Sequence, residues 1–238
     1  MKTKILQTVV VALILNASIL LNNCLSQWVQ TNGPGGGNIQ CLVVSGTNII
    51  VGSYGGGIFL TTNNGTSWNA INNGLTNLNI LSLAISGTNI FAGTGSGGLF
   101  LSTNIGTSWA AVNNGLTNLD ILSLAVSGSN IFAGTNNGIF LSTNNGTSWN
   151  GAGLTNNNIM ALTVTATNIF AGTGSNGVFL STNNGTSWTA VNNGLPTQYV
   201  KAFGFYGTNL FAGTYGGGIF LSTNNGTSWT WSNNESIC

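Results

Sequence analysis

From residue 38 onward the chain alternates short apolar runs with clusters of Gly, Asn, Ser and Thr, and no stretch carries a helical period of apolar positions. The segment from Asn72 to Trp109, NNGLTNLNILSLAISGTNIFAGTGSGGLFLSTNIGTSW, contains four such runs. They predict four strands, A at about Ile80–Ser86, B at about Asn89–Gly93, C at about Leu99–Thr103 and D at about Thr107–Val112, with glycine- and asparagine-rich turns between them. The runs are apolar on both faces, as in a sheet covered on both sides. In strand A one position is large (Leu83, Leu124, Leu162, Phe203) and the position before it small (Ser82, Ser123, Ala161, Ala202). A bulky face on one sheet can then interdigitate with a small face on the next. Cys41 holds the small position in the first copy. That predicts a buried small residue, with a disulfide to Cys238 as the alternative.

This four-strand pattern repeats. LSTNNGTSW or a close variant recurs so that Trp68, Trp109, Trp149, Trp188 and Trp229 are separated by 41, 40, 39 and 41 residues. A sheet of four antiparallel strands every forty residues or so predicts an all-β fold, a β-propeller of about five four-stranded blades whose closure the sequence leaves open. The repeats run approximately over 34–73, 74–114, 115–153, 154–193 and 194–238, within one domain, 27–238. Residues 27–33, QWVQTNG, look like one further strand D, with Trp28 in the tryptophan position. That is one outer strand too many for five blades. An unclosed array would leave an unpaired edge and apolar blade faces, which favours self-association in a chain with so little charge.

At the N-terminus Lys2 and Lys4 precede an apolar run from Ile5 to Leu21, followed by small and polar residues through Gln27. This pattern predicts a signal peptide over 1–26, cleaved after Ser26, and hence a secreted protein, extracellular or periplasmic in a bacterium, with no integral membrane span in the mature chain. A retained anchor and a lipidated Cys24 are the alternatives.

Charge narrows the function classes. Beyond residue 26 the only ionic side chains are Asp120, Lys201 and Glu235, and the chain has no arginine or histidine. Proton transfer and charge stabilisation ordinarily recruit those residue types, so the expectation is a non-enzyme with no catalytic residues, no metal site and no cofactor. One lysine cannot neutralise a run of phosphates, which excludes nucleic acid as a partner. Gly93–Gly98 and Gly172–Gly177 match G-x-G-x-x-G, but a strand follows each where a dinucleotide site needs a helix N-terminus, so they read as turns. The N-x-T sequons at Asn64 and Asn145 are assigned no role.

Ser102, Thr103, Asn104, Ile105, Gly106, Thr107, Ser108 and Trp109, with their counterparts in every copy, resemble the Asp-box, S-x-D-x-G-x-T-W, of the bacterial-neuraminidase-repeat (BNR) propellers, a superfamily that includes sortilin-like and photosystem II assembly-factor-like propellers. The resemblance covers all five repeats. It implies a propeller in which the box is a structural hairpin and the five tryptophans are wedges between blades. Asn63, Asn104, Asn144, Asn183 and Asn224 stand where that family has Asp, and Ser replaces the last Thr. An Asn can still bond the turn backbone. Sialidases of that superfamily use an arginine triad, and this chain has no arginine.

Stacking the copies aligns Tyr54, Gly95, Asn136, Gly174 and Tyr215 in the B–C loop, and Asn38, Asn79, Asp120, Asn158 and Tyr199 at the start of strand A. Both sets are expected on one face. If the ring closes, Tyr54, Tyr199 and Tyr215 gather at the seam beside a mouth of Asn38, Asn79, Asp120 and Asn158. Flat aromatic rings beside amides suit a neutral glycan or polar peptide; the alternative is that these tyrosines simply cap the terminal blades. Lys201 aligns with Gln40, Leu81, Leu122 and Met160 and reads as an end-of-strand substitution. The expected function is a secreted or cell-surface binding or scaffold module for an unidentified protein or polysaccharide. A lectin-like binder of neutral glycans, and an assembly-factor-like propeller or truncated repeat without independent activity, are the alternatives.

Overall fold

The computed structural model describes residues 33–34, 37–165 and 168–232. The predicted signal peptide, all of strand 27–33 but Gly33, and Cys238 lie outside them. Every described regular element is a strand. The first sheet joins β1 (Asn38–Ser45), β2 (Asn48–Tyr54), β3 (Gly57–Thr61) and β4 (Asn69–Ala70). The second joins β5 (Ile80–Ser86), β6 (Asn89–Thr94), β7 (Gly98–Ser102) and β8 (Ala110–Ala111). The third joins β9 (Ile121–Ser127), β10 (Asn130–Thr135), β11 (Gly138–Ser142) and β12 (Asn150–Gly151). The fourth joins β13 (Ile159–Thr165), β14 (Asn168–Thr173), β15 (Val178–Ser181) and β16 (Thr189–Ala190). The fifth joins β17 (Val200–Tyr206), β18 (Asn209–Thr214), β19 (Gly218–Ser222) and β20 (Thr230–Trp231). Neighbouring strands in each sheet pair antiparallel in chain order, which makes five blades of a β-propeller.

The outer strand is shorter than its apolar pattern predicts. In the second blade Thr107–Val112 reduces to Ala110–Ala111. Its leading residues are held in the preceding turn, where Asn104 Oδ1 accepts from the Ser108 N–H at 3.0 Å, and the Trp109 N–H turns instead to the Asn73 carbonyl at 2.9 Å. The innermost strand carries a bulge that the sequence does not announce. In the second blade the register slips between Ile80 and Ser82, at Leu81, and the same slip occurs in every sheet. The extra residue resets the side-chain alternation. Ile80 and Leu83 thereby face the blade before, while Ser82 faces the blade after and donates its hydroxyl to the Ile121 carbonyl at 3.2 Å. Lys201 sits at this bulge in the fifth blade, one residue inside β17.

Large meets small where blades touch. Gly52, Gly93, Gly134 and Gly172 leave room for Ile80, Ile121, Ile159 and Val200 of the following blade; a Cβ on Gly134 would lie 2.6 Å from Ile159 Cγ2. Each of the four interfaces is a separate apolar cluster that includes one tryptophan: Trp109, Trp149, Trp188 or Trp229. These four indoles donate to backbone carbonyls of the preceding blade, at Ile71, Val112, Ala152 and Val191, over 2.7–2.9 Å. The indole N–H of Trp68 is buried without a hydrogen-bond partner.

Innermost strands stack in series, β1 on β5, β5 on β9, β9 on β13 and β13 on β17. No comparable packing joins β17 to β1 among the described residues. Particular apolar positions of the first and fifth blades are accordingly exposed. Leu42 is 56% exposed where its counterpart Leu83 is 8%, and Ile219 is 54% exposed where Leu99 is 0%.

Cys41 is a free, half-buried thiol whose Sγ lies 4.0 Å from the Gly52 carbonyl oxygen. Burial pushes its pKa from 9.0 up to about 12, the backbone contact opposing this.

Candidate functional site

The two aligned sets of loop residues share one face. The N–H groups of Gly95, Gly174 and Tyr215 each donate at 2.9 Å to the carbonyl of the residue leading into strand A of the same blade, Asn79, Asn158 and Tyr199 respectively. In the first blade Asn38 pairs directly with Tyr54 across the β1–β2 ladder. The face is continuous from blade to blade: Gly57, Gly98, Gly138 and Gly177 donate their N–H groups to Leu78, Leu119, Asn157 and Gln198 of the following blade over 2.8–3.0 Å. Those glycines have left-handed φ of 75–99°, a conformation that costs a side-chain-bearing residue about 1 kcal/mol or more.

Asp120 is the most engaged residue on this face. Its Oδ1 accepts from the Ser96 hydroxyl at 2.9 Å and its Oδ2 from the Asn136 amide at 2.8 Å, so one carboxylate ties a loop of the second blade to a loop of its own. Its N–H donates to Asn118 Oδ1 at 3.0 Å, and Asn79 repeats this bond with Asn77 at 2.8 Å. Aligning the repeats singles out Asp120 but misses Ser96, Asn77 and Asn118. The recurring Thr-Asn-Leu before strand A, at Thr76–Leu78 and Thr117–Leu119, is the signal that marks the last two.

The tyrosines divide into two groups. Tyr199 and Tyr215 lie with ring centroids 5.3 Å apart and planes inclined by 35°. Lys201 Nζ stands 5.7 Å from the Tyr199 centroid, within cation–π reach. Tyr215 is 69% exposed, so the pair offers a ring to solvent. Tyr54 is 56% exposed on the first blade and joins no ring pair among the described residues. Because β17 does not pack on β1, Tyr54 is not drawn to the other two through a closed seam.

The opposite turns form a fixed hydrogen-bond unit. In the second blade Asn104 Oδ1 accepts from the Ser102 hydroxyl at 2.9 Å and from the Ser108 N–H at 3.0 Å, while its amide donates to Ser108 Oγ at 2.9 Å. The same three bonds recur at Asn63, with Thr61 in place of the first serine, and at Asn144, Asn183 and Asn224. An amide both accepts and donates here, which gives the neighbouring serine hydroxyl a donor to receive from. A depression of about 330 Å³ near these turns, between the third and fourth blades, is lined by Leu141, Ala152, Asn184, Thr186 and three glycines, with no ionic side chain. Among the described residues no group of three or more His, Cys, Asp or Glu converges, and no helix is long and apolar enough to cross a membrane.

Residues 86–210, just over half of the chain, match the DUF6242 beta propeller domain. The chain belongs to this propeller family. Solved structures share its fold. The extracellular domain of the putative one component system BT4673 from B. thetaiotaomicron superposes with a TM-score of 0.70 at 19% identity, over 82% of this chain and 28% of that one. An ancestral GH74 enzyme gives 0.68 at 22% identity, over 85% and 32%. YCF48 bound to D1 peptide gives 0.67 at 15% identity, over 85% and 70%. The chain thus spans about a third of the first two proteins' length, and at these identities the likeness establishes the fold alone. None of the curated proteins matches the chain.

Proposed function

We propose that this family member is an exported, non-catalytic binding module that takes a neutral polar ligand, a polysaccharide or an uncharged polypeptide segment, on the face built from its B–C loops and the approaches to strand A. The observation that carries this reading is the solvent-facing Tyr199–Tyr215 pair on a rim of asparagines. Tyr54, Asn38, Asn79, Asp120 and Asn158 extend the same face. An aromatic ring stacks on the C–H face of a sugar or on a peptide plane, and neighbouring amides bond its hydroxyls or carbonyls. The only carboxylate among the described residues, Asp120, has both oxygens engaged in holding loops together, which leaves no acid–base pair for hydrolysis.

The neighbours are compatible with a protein ligand or a carbohydrate: one is a propeller bound to a peptide and others are GH74 enzymes. Export rests on the N-terminal sequence pattern, and the resemblance of the turns to an Asp-box supports a structural part for them. The test is a binding screen of the full chain against a neutral-glycan array and surface extracts, alongside the Tyr199→Ala/Tyr215→Ala and Tyr54→Ala/Tyr215→Ala double variants. Loss of a glycan or protein ligand by about tenfold or more in the first variant supports the site, since stacking contributes on the order of 1 kcal/mol or more per ring. Ligand binding unchanged in both variants refutes it.

A further inference from the structure

We propose that the notch between the third and fourth blades binds an uncharged polypeptide segment of a partner, one that presents a branched aliphatic side chain followed by a free backbone carbonyl. The template for this ligand is in the chain itself. In the first, second and fourth blades the outer strand leads into Ile71–Gly74, Val112–Gly115 and Val191–Gly194, each an Ile or Val followed by Asn-Asn-Gly. The blade's tryptophan there stands seven residues before the next leucine, as from Trp109 to Leu116. In the third blade that interval is five, from Trp149 to Leu154, and the segment shrinks to Ala152 and Gly153.

Each missing piece makes a contact elsewhere that is unmade here. The branched side chains of Ile71, Val112 and Val191 lie over a turn glycine of the next blade; a Cβ on Gly146 or Gly226 would meet Val112 Cγ2 or Val191 Cγ2 at 3.6 and 3.5 Å. Over Gly185 that place is held by Ala152 Cβ, at 3.7 Å, which carries no branch beyond it. The carbonyls of Asn73, Asn114 and Asn193 accept the N–H groups of Trp109, Trp149 and Trp229 over 2.8–2.9 Å, whereas the Trp188 N–H has no such acceptor among the described residues. Gly74, Gly115 and Gly194 abut the carbonyls of those three tryptophans; Gly153 stands instead against the Trp188 ring, where a Cβ would lie 3.1 Å from Cδ1. Trp188 is accordingly half-buried and the other three are buried.

One contact of the lost segment is kept. The Gly153 carbonyl accepts the Ile139 N–H at 3.0 Å, the part that Asn113 Oδ1 plays for Leu99 at 2.7 Å. The shortened loop is therefore anchored to its own blade, and the space lies on the side of the fourth. Gly151 widens it. Its counterparts are Ala111 and Ala190, nothing lies within 4 Å of a Cβ there and its φ is not left-handed, so the fold does not require glycine at that position. A branched side chain seated beside Ala152 gains apolar burial, and a carbonyl on the Trp188 N–H gains the bond that Asn114 gives Trp149. Asn184 on the facing wall is exposed and offers a further amide to a peptide backbone. With no ionic side chain in the lining, a charged segment would be desolvated there without compensation. The notch lies by the Asn183 turn, so it is independent of the tyrosine face.

The experiment titrates the ¹⁵N-labelled full chain with N-acetyl-Val-Asn-Asn-Gly-amide and, separately, with cellotetraose as a neutral oligosaccharide, following backbone amide shifts. Two variants close the notch. One restores the loop, Ala152→Val with Asn-Asn inserted before Gly153, giving the sequence of residues 112–116; the other is Gly151→Leu, at a position with open space, which keeps the test if the insertion does not fold, as circular dichroism checks. The peptide is expected to shift the Gly153, Gly185 and Trp188 amides with a Kd of about 1–10 mM, and closing the notch weakens this about tenfold or more. No shift of these amides up to about 50 mM peptide, undiminished shifts in the folded variants, or shifts with the oligosaccharide and not the peptide would each overturn the proposal.

Discussion

The second to fourth blades and the terminal pair carry nearly the same forty residues and meet different fates. Leu83 and Leu42 occupy one repeat position, as do Leu99 and Ile219, yet the first of each pair is buried and the second exposed. Local sequence therefore sets the strands, their turns and the bulge in every blade, while burial is conferred by the neighbour. This is the behaviour of a quasi-one-dimensional array, in which stability sums over units and interfaces and the ends are weakest.

Paired substitutions at equivalent positions sharpen the contrast. The largest difference is expected at the inter-blade glycine. Gly134→Val forces side-chain atoms into Ile159 and costs about 3 kcal/mol or more, whereas Gly213→Val in dilute solution stays within about 0.5 kcal/mol of wild type. Urea denaturation of the two variants measures this, and equal losses would refute the space beside Gly213. Next comes the tryptophan. Trp109→Phe removes an indole bond and strands the Ile71 carbonyl, for about 1–3 kcal/mol; Trp68→Phe removes a donor that has no partner and is neutral or stabilising by the same assay.

A smaller effect belongs to one inner turn. Ile105, with φ of 55°, holds a left-handed position that its counterparts Asn64, Asn145, Asn184 and Asn225 fill with asparagine. Ile105→Asn is expected to stabilise the protein by about 1 kcal/mol, read as a rise in Tm. The least costly test is chemical. Cys41 has its thiol pKa raised to about 12, so its contribution to stability is complete below pH 9 and declines as pH climbs from 9 toward 12. At neutral pH it should alkylate with iodoacetamide at least about tenfold more slowly in the native protein than in urea; equal rates would contradict its burial.

The fold was legible because the repeats register themselves. The tryptophan spacing and the apolar runs are enough to locate five four-stranded sheets along the chain. The details that escaped are those that backbone geometry decides. The bulge at Leu81 and its counterparts leaves no mark in composition, and the outer strand is cut short by the hydrogen bond that the Ser108 N–H donates to Asn104, which a β-forming Thr-Ser-Trp sequence does not reveal. The loop face was readable as a set of aligned positions, and the Tyr199–Tyr215 pairing follows from their neighbouring places in one blade. The predicted gathering with Tyr54 depended on closure, a property of the whole array that no single repeat encodes.

Among the described residues an interior blade packs against two others, and the first and fifth blades against one. Hydrogen exchange read by mass spectrometry, in dilute solution, tests it across all five blades at once. The slowest exchange is expected in β9 and β10 of the third blade, with progressively faster exchange toward β1 and β17. Equal protection in all five blades would contradict this and show a ring closed on itself.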